Sequence, residues 1–134
     1  MLRTMPSRKT APPRPTDAEL EILKVLWELG PSTVREVHAA IQVMKPSQYT
    51  TTLRVMQIMT DKRLLIRDES DRAHVYIPTV DREIVQREMV ASLIDRVFGG
   101  STEGLLVGML NARPASKKEL ARMRRMLEDH EKGK

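Results

Sequence analysis

Cysteine is absent from this 134-residue chain, and aromatic side chains are scarce, with one Trp, two Tyr and one Phe. Without cysteine neither a disulfide framework nor a thiolate metal site can form, which suits a reducing cytoplasm. No apolar run approaches the roughly 18 residues of a membrane span, and the N-terminus lacks the apolar core of a signal peptide. The composition therefore predicts a cytoplasmic protein without membrane insertion.

Motifs for catalysis and cofactor binding are also missing. His38, His74 and His130 have neither the H-x-x-x-H nor the H-E-x-x-H spacing that gathers a metal ion. The glycines between residues 99 and 108 flank an apolar segment and are not followed by Lys-Ser or Lys-Thr, so they do not form a phosphate-binding loop. We therefore expect no enzyme, no catalytic residue, no metal and no cofactor.

Positive charge is in excess, with 23 Lys and Arg against 18 Asp and Glu and a net charge of +5. Residues 1–15 contain four basic residues, four prolines and no acid, so this stretch is predicted to be a disordered basic arm. Such an arm either adds nucleic-acid affinity through counterion release or is simply a solvated tail.

Three helices are predicted in the first half of the chain. Capping boxes of the form Thr-x-x-Glu begin at Thr16 and Thr33, each followed by apolar residues at helical spacing, and a Gly-Pro pair ends the first segment. A Pro-Ser pair then restarts the chain. These signals predict helices over about 17–29 and 34–43, and a third running to about Lys62 with Ser47 as its N-cap.

After the third helix the spacing of apolar residues changes from a helical to an alternating pattern. Residues 64–67 and 73–77 read as two strands, with Val75 and Ile77 on one face and His74 and Tyr76 on the other, and the acidic stretch 68–71 is typical of a turn. Three helices followed by a hairpin is the order of a winged helix-turn-helix domain. We therefore predict a mainly α fold with a small β-hairpin wing.

The third helix contains three consecutive threonines, which are poor choices for an ordinary surface helix. On a helical wheel one face is predicted to point to the core, and it comprises Tyr49, Thr52, Leu53, Met56 and Met59. The opposite face is polar and comprises Ser47, Thr50, Thr51, Arg54 and Gln57. In the DNA major groove, short Thr hydroxyls and methyls can contact base edges, whereas on a solvated face they would have no such role.

The DNA contacts predicted from these patterns are Ser47, Gln48, Thr50, Thr51, Arg54, Gln57, Arg63, Arg67 and Arg72. A winged helix can also serve as a protein-interaction adaptor without specific DNA binding. The polar face argues against the adaptor, because protein-binding surfaces favour exposed Leu, Phe or Tyr anchors.

The C-terminal part is predicted to hold three further helices. A helix over about 82–98 is apolar nearly all round and ends at Gly99-Gly100, "LLVGML" follows at 105–110, and a capping box at Ser116 opens the last helix. Apolar surface beyond a complete domain indicates a homodimer, or else the packed tail of a monomer. The predicted dimerisation residues are Met89, Leu93, Val97, Leu105, Leu106, Met109, Leu110, Leu120, Met123 and Leu127. The predicted organisation is thus a basic arm at 1–15, a winged-helix domain at 16–80 and a helical dimerisation region at 81–134.

The chain resembles the penicillinase-repressor family (BlaI/MecI) from residue 15 to about 130. The resemblance lies in "PTDAELEILKVLWELGPSTVREVHAAI", in "YTTTLRVMQIMTDKRLL", which is similar to the family's Tyr-Thr-Thr-x-Leu run, and in "RAHVYIP" of the second wing strand. It implies a dimeric repressor of bacterial antibiotic-resistance genes that binds dyad-symmetric double-stranded DNA with TACA/TGTA-like half-sites. It also implies induction through a membrane-anchored metalloprotease receptor, with cleavage in the dimerisation region.

Two departures from the family pattern are visible. Arg63 stands where the family usually has Gly, so either the turn into the wing has another shape or Arg63 adopts a left-handed conformation at some cost. A copper-responsive branch of the family carries a C-terminal cysteine cluster, and this chain has no cysteine. Copper(I) sensing by thiolates is therefore excluded.

Overall fold

The computed structural model describes residues 14–133, which form two compact units divided after Met89. The predicted basic arm, apart from Arg14 and Pro15, lies outside the described residues. The first unit contains helices α1 (Asp17–Leu29), α2 (Val34–Met44) and α3 (Tyr49–Asp61) and strands β1 (Leu65–Asp68) and β2 (Val75–Pro78). Helices α4 (Arg82–Phe98), α5 (Thr102–Ala112) and α6 (Lys117–Lys132) complete the chain.

The predicted capping boxes open α1 and α2. Thr16 accepts a hydrogen bond from the backbone N–H of Glu19, whose carboxylate accepts one from the N–H of Thr16, and Thr33 and Glu36 repeat this exchange. Each box satisfies backbone donors that the first helical turn leaves without partners. Gly30, at φ 87°, ends α1 in a conformation that an L-residue seldom adopts. The predicted positions of both helices are confirmed.

The end of α3 contains the one non-glycine residue with positive φ among the described residues, Arg63 at φ 69°. The N–H of Leu64 donates to the carbonyl of Met59 at 2.9 Å, the backbone bond that defines a Schellman-type helix end. Of the two possibilities left open by the sequence, the left-handed Arg63 is the one observed. The turn thus keeps the shape that glycine favours.

Replacing Arg63 by Gly should therefore stabilise the winged unit. A left-handed L-residue costs roughly 1–2 kcal/mol, and the greater freedom of glycine in the unfolded chain cancels about half of that gain. We expect the free energy of unfolding of Arg63→Gly to rise by about 0.5–1 kcal/mol in urea titrations. Arg63→Ala is the matched control, because it removes the guanidinium without relieving φ, and a rise as large as that of the Gly variant would show that charge and not backbone strain is responsible.

The wing is a two-stranded antiparallel hairpin in which Leu65 pairs with Pro78 and Asp68 with Val75. Tyr76 of β2 is buried at 3% exposure, while Val75 and Ile77 are half-buried. Tyr76 also exchanges two backbone hydrogen bonds with Ser32, at 2.8 and 3.2 Å. These bonds attach the wing to the connection between α1 and α2.

One hydrophobic core holds the first unit together. Its largest fully buried side chains come from α1, α2, α3 and the start of the wing, and they are Leu23, Leu26, Val37, Met56, Met59, Leu64 and Leu65. The sole tryptophan, Trp27, donates from Nε1 to the carbonyl of Val80 at 3.0 Å, so the chain leaving the wing is tied to α1. Three helices around this core with a hairpin attached constitute a winged helix, as predicted.

The second unit is entirely helical within residues 90–133. Gly99 and Gly100, at φ 57° and 85°, end α4, and the hydroxyl of Ser101 caps α5. A complete capping box between Ser116 and Glu119 opens α6. None of the described residues of this unit is fully buried, and the last buried side chain along the chain is Val85.

Candidate nucleic-acid interface

Helix α3 is anchored by one face, and this orients the opposite face toward solvent. Thr52, Met56 and Met59 are buried, the two methionines completely. A helix held this way cannot rotate without exposing its apolar side, so its outer residues have a defined direction. Five of the residues predicted to point outward are exposed, and they are Gln48, Thr50, Thr51, Arg54 and Gln57.

Thr52, the third threonine, faces inward as predicted, and its hydroxyl has a partner. A hydrogen bond of 2.9 Å joins Thr52 Oγ1 to His38 Nδ1 on α2. The rings of His38 and Tyr49 pack nearly perpendicular to each other with centroids 5.6 Å apart, and the Arg35 guanidinium lies 5.7 Å from the centre of the Tyr49 ring. These contacts connect α2 to the first turn of α3 and fix the rotation of α3.

Three predictions about the start of α3 are wrong. The N-cap is Gln48 and not Ser47, and its side chain makes no capping hydrogen bond. The Ser47 hydroxyl is buried without a hydrogen-bond partner, so it does not belong to the exposed face. Tyr49, assigned to the core by its wheel position, is 39% exposed because it lies over His38 at the edge of α2.

The end of α3 is attached to α1 by an ion pair. Lys62 Nζ lies 2.7 Å from Glu19 Oε2, and the Glu19 side chain is only 4% exposed. Burial by itself would raise the pKa of Glu19, but the hydrogen bond and charge of Lys62, together with the N–H and hydroxyl of Thr16, hold that pKa below its usual value. Glu19 thus caps α1 and binds the end of α3 at the same time.

The wing offers less positive charge than its arginines suggest. Arg67 and Arg72 are exposed, but Asp68, Glu69 and Asp71 lie between them, so this stretch has a net charge of −1. Arg67 Nε donates to Glu69 at 2.6 Å, and hydrogen bonds to Tyr76 and then to Glu69 raise the pKa of Arg67. The hydroxyl and N–H of Ser70 lower the pKa of Asp68. Arg67 would have to exchange a carboxylate for a phosphate in order to contact DNA.

Ile58 is an exposed residue of α3 that the sequence reasoning missed. It is 40% exposed, one turn beyond Arg54 and two turns beyond Thr51 on the same side of the helix. Its position on the helical wheel matches that of the polar residues, but its apolar side chain is typical of a buried face. In a major groove an isoleucine can contact a thymine methyl group.

The predicted dimerisation residues are distributed over α4, α5 and α6. Those that are half-buried within one chain are Met89, Leu93, Leu105, Leu110, Leu120 and Met123. The more exposed ones are Val97, Leu106, Met109 and Leu127, with 59, 40, 42 and 62% exposure. Phe98 packs on α5 so closely that a Cβ at Gly108 would lie 2.9 Å from its ring. Much apolar surface of these helices therefore remains accessible in the single chain.

Residues 14–133 include no helix with the length and apolar character needed to cross a lipid bilayer. In the same part of the chain, no three His, Asp or Glu side chains come together as metal ligands would.

Sequence comparison relates this chain to a known protein family. The sequence model of the penicillinase repressor family matches residues 15–129. The "Transcriptional regulator BlaI" of Mycobacterium tuberculosis is 34% identical over 119 residues, covering 87% of this chain and 85% of that protein. The "Penicillinase repressor" of Bacillus licheniformis is 24% identical over 122 residues, covering 91% of this chain and 95% of that protein.

A solved structure also resembles this chain. The solution structure of the DNA binding domain of the repressor BlaI aligns with a TM-score of 0.49 and 26% identity, covering 54% of this chain and 88% of that one. The family match extends over nearly the whole chain, and the mycobacterial relative is similar over most of its own length. This protein therefore belongs to the penicillinase repressor family, whose members are transcriptional repressors.

Proposed function

We propose that this protein is a dimeric, sequence-specific repressor that binds double-stranded DNA containing a dyad-symmetric operator. The observation that carries the proposal is the exposed polar face of α3, whose direction is set by the buried Thr52, Met56 and Met59. In a helix-turn-helix domain the second helix of the motif enters the major groove, and this face then meets the base edges.

The side chains of this face suit two kinds of contact. Thr50 and Thr51 are short, so their hydroxyls and methyls reach base edges only if the helix backbone lies deep in the groove. Arg54 and Gln57 are longer and reach phosphates or bases. Thr51 is therefore assigned to base recognition and Arg54 to a phosphate.

The second unit supports the dimer. Its described residues include no fully buried side chain, yet Val97, Leu106 and Leu127 expose large apolar groups. A second copy of the chain would cover this surface and would place two α3 helices at two half-sites.

The same region supports a proposal of control by proteolysis. Residues 105–110 lie in α5, where Leu106, Val107 and Met109 are all exposed and hold the helix weakly in a single chain. Local unfolding of such a segment admits a protease, and cleavage would separate α6 from the winged unit. We propose that induction uses this cleavage, through a pathway that begins at a membrane-anchored metalloprotease receptor, and that the repressed genes provide antibiotic resistance.

Selection of bound DNA from a random pool tests the function. We expect a dyad-symmetric site with TACA/TGTA-like half-sites, bound by two copies of the chain as measured by sedimentation. Recovery of single half-sites bound by a monomer would contradict the dimeric repressor.

A second candidate is a protein-interaction adaptor, which the exposure of Tyr49 and Ile58 favours, at 39 and 40%. These two side chains could anchor a protein partner on α3. The same selection separates the two functions, because an adaptor would recover no preferred sequence.

Two substitutions on α3 should weaken DNA binding in different ways. Thr51→Ala should cost about 1–3 kcal/mol of binding free energy on the selected operator and little on a scrambled duplex, because a base contact is lost. Arg54→Ala should weaken binding to both duplexes and lower the salt slope by about one unit, because a phosphate contact is lost.

The measurement is fluorescence anisotropy on both duplexes over a range of salt concentrations. Thr51→Val and Thr51→Ser are the matched controls, since the first keeps the methyl and the second keeps the hydroxyl. Equal losses on both duplexes with unchanged salt slopes for Thr51→Ala and Arg54→Ala would show that the two contacts are assigned wrongly.

A further inference from the structure

The winged unit is not a positively charged body. Residues 14–89 contain eleven Lys and Arg and twelve Asp and Glu, a net charge of −1. Proteins obtain much of their DNA affinity by neutralising phosphates with basic side chains, and an acidic unit obtains little from its overall charge. Positive charge outside residues 14–89 would therefore add to the DNA affinity of the protein.

The first half of α6 and the turn before it hold a large share of that charge. Residues 113–125 contain six Lys and Arg and one Glu, a net charge of +5. Lys118, Arg122 and Arg125 recur at helical spacing and therefore share one side of α6, which we call the basic face. All three are exposed, and none forms an ion pair with any of the described residues.

The basic face is unfavourable for an isolated helix. Lys118 and Arg122 are like charges four residues apart, and Arg122 and Arg125 are three apart, so each pair weakens the helix by about 0.2–0.5 kcal/mol. Lys117 and Lys118 also lie in the first turn, where the helix dipole disfavours positive charge. Asp129, four residues after Arg125, offsets part of this repulsion at the other end of the face. Binding to a polyanion would relieve the repulsion that remains between Lys118, Arg122 and Arg125.

The apolar stripe of α6 leaves the basic face free. Leu120, Met123 and Leu127 lie on roughly the opposite side of the helix, at about 100° per residue. A second copy of the chain can therefore cover the stripe while the basic face still meets another partner. An anionic membrane is less suitable, because interfacial helices insert the same apolar stripe that the dimer uses.

We propose that the basic face of α6 binds phosphates of double-stranded DNA that flank the operator. The proposal rests on the proposed function and adds a second, sequence-independent surface to the base-reading face of α3. It explains how the protein would gain DNA affinity from phosphate contacts although its winged unit is slightly acidic.

The test compares two duplexes, one ending at the outermost selected base pair and one extended by about one helical turn, roughly 10 base pairs, on each side. The full-length protein is compared with Lys118→Gln/Arg122→Gln/Arg125→Gln. A matched control, Lys24→Gln/Arg87→Gln/Arg96→Gln, removes the same charge from other exposed helix positions. Sedimentation checks that both variants remain in the oligomeric state of the parent protein.

On the extended duplex, the basic-face variant should lower the slope of log K against log salt by about 2–5 units. The upper end corresponds to six phosphate contacts in a dimer, at about 0.9 units each. Its affinity there should fall at least tenfold at about 0.15 M salt, while the short duplex shows little change. The control should alter the slope by less than about one unit on either duplex.

An unchanged slope on the extended duplex would overturn the proposal, as would an equal loss in the control. Binding to vesicles of anionic lipid that depends on the three residues, with an unchanged DNA slope, would reassign the face to a membrane. Failure of the proposed function can be told apart from failure of the basic-face proposal, because the parent protein would then not prefer the operator to a scrambled duplex. The effect of duplex length on the salt slope can be measured on scrambled DNA as well.

Discussion

Ending the chain after Gly100 should lower the affinity for the full operator at least about 100-fold at fixed salt and protein concentration. The truncation removes α5 and α6. If these helices hold the proposed dimer together, each half-site must then be bound by an independent chain, without the high effective concentration that a dimer provides. Every buried side chain among residues 14–133 lies within residues 19–85, so the fragment should remain folded. Anisotropy measures the affinity, and sedimentation shows whether the fragment is monomeric.

Binding of the same fragment to a single half-site provides the control. If the loss comes from dimerisation, the fragment and the full-length protein should differ little on a half-site that ends at its last recognised base pair. A fragment that bound the full operator as tightly as the intact chain would show that the second unit does not govern repression. Cleavage within α5 would then lose its physical rationale.

Replacing Lys62 by Met should destabilise the winged unit by about 2–3 kcal/mol at neutral pH. Removing one partner of a buried ion pair leaves an uncompensated charge, which costs roughly 3–5 kcal/mol when both groups are fully buried. The expected loss is smaller here because the Lys62 side chain is 33% exposed. Urea denaturation followed by the fluorescence of Trp27, the only tryptophan, gives the free energy of unfolding.

The Lys62→Met substitution should reverse the direction in which the contribution of Glu19 to stability changes with pH. In the parent protein the pKa of Glu19 is lowered on folding, so its contribution to stability is present above the usual glutamate pKa and is lost as the pH falls through the folded-state pKa. Without Lys62, burial should raise the pKa of Glu19, so protonation would stabilise the variant. The difference in free energy of unfolding between the parent protein and Lys62→Met should therefore become smaller as the pH is lowered from 7 to about 4.

The double variant Lys62→Met/Glu19→Gln is the control for this assignment. Glutamine can still take part in the capping box with Thr16, but it leaves no buried charge. We expect it to recover more than half of the stability lost in Lys62→Met. Equal stability of the single and double variants at neutral pH would show that Lys62 acts through packing and not through Glu19.

The exposed side of α3 was largely predictable from the sequence, because one helical period relates it to the buried side. Thr52, Met56 and Met59 are each three or four residues from the next, and this spacing alone places Thr50 and Arg54 outside. The helical wheel gives the wrong exposure for residues at the first turn of α3. Ser47 precedes the helix, and Tyr49 lies at the margin of the face, where the ring of His38 on α2 decides its exposure.

The sequence by itself determined the local elements of this protein. The bounds of α1 and α4, the capping boxes at Thr16, Thr33 and Ser116, and the stop at Gly99-Gly100 depend on groups within one or two turns of each other. Such interactions do not need the rest of the chain, so a pattern of a few residues is enough to reveal them.

Only the tertiary structure decided how these elements are joined. The Glu19–Lys62 ion pair connects residues 43 apart, the Trp27–Val80 hydrogen bond connects residues 53 apart, and Tyr76 is buried because β2 pairs with Ser32. No local pattern predicts such partners, since they meet only when the core has placed the helices and the wing together. Which residues of α3 are exposed depends on those contacts as much as on the three threonines.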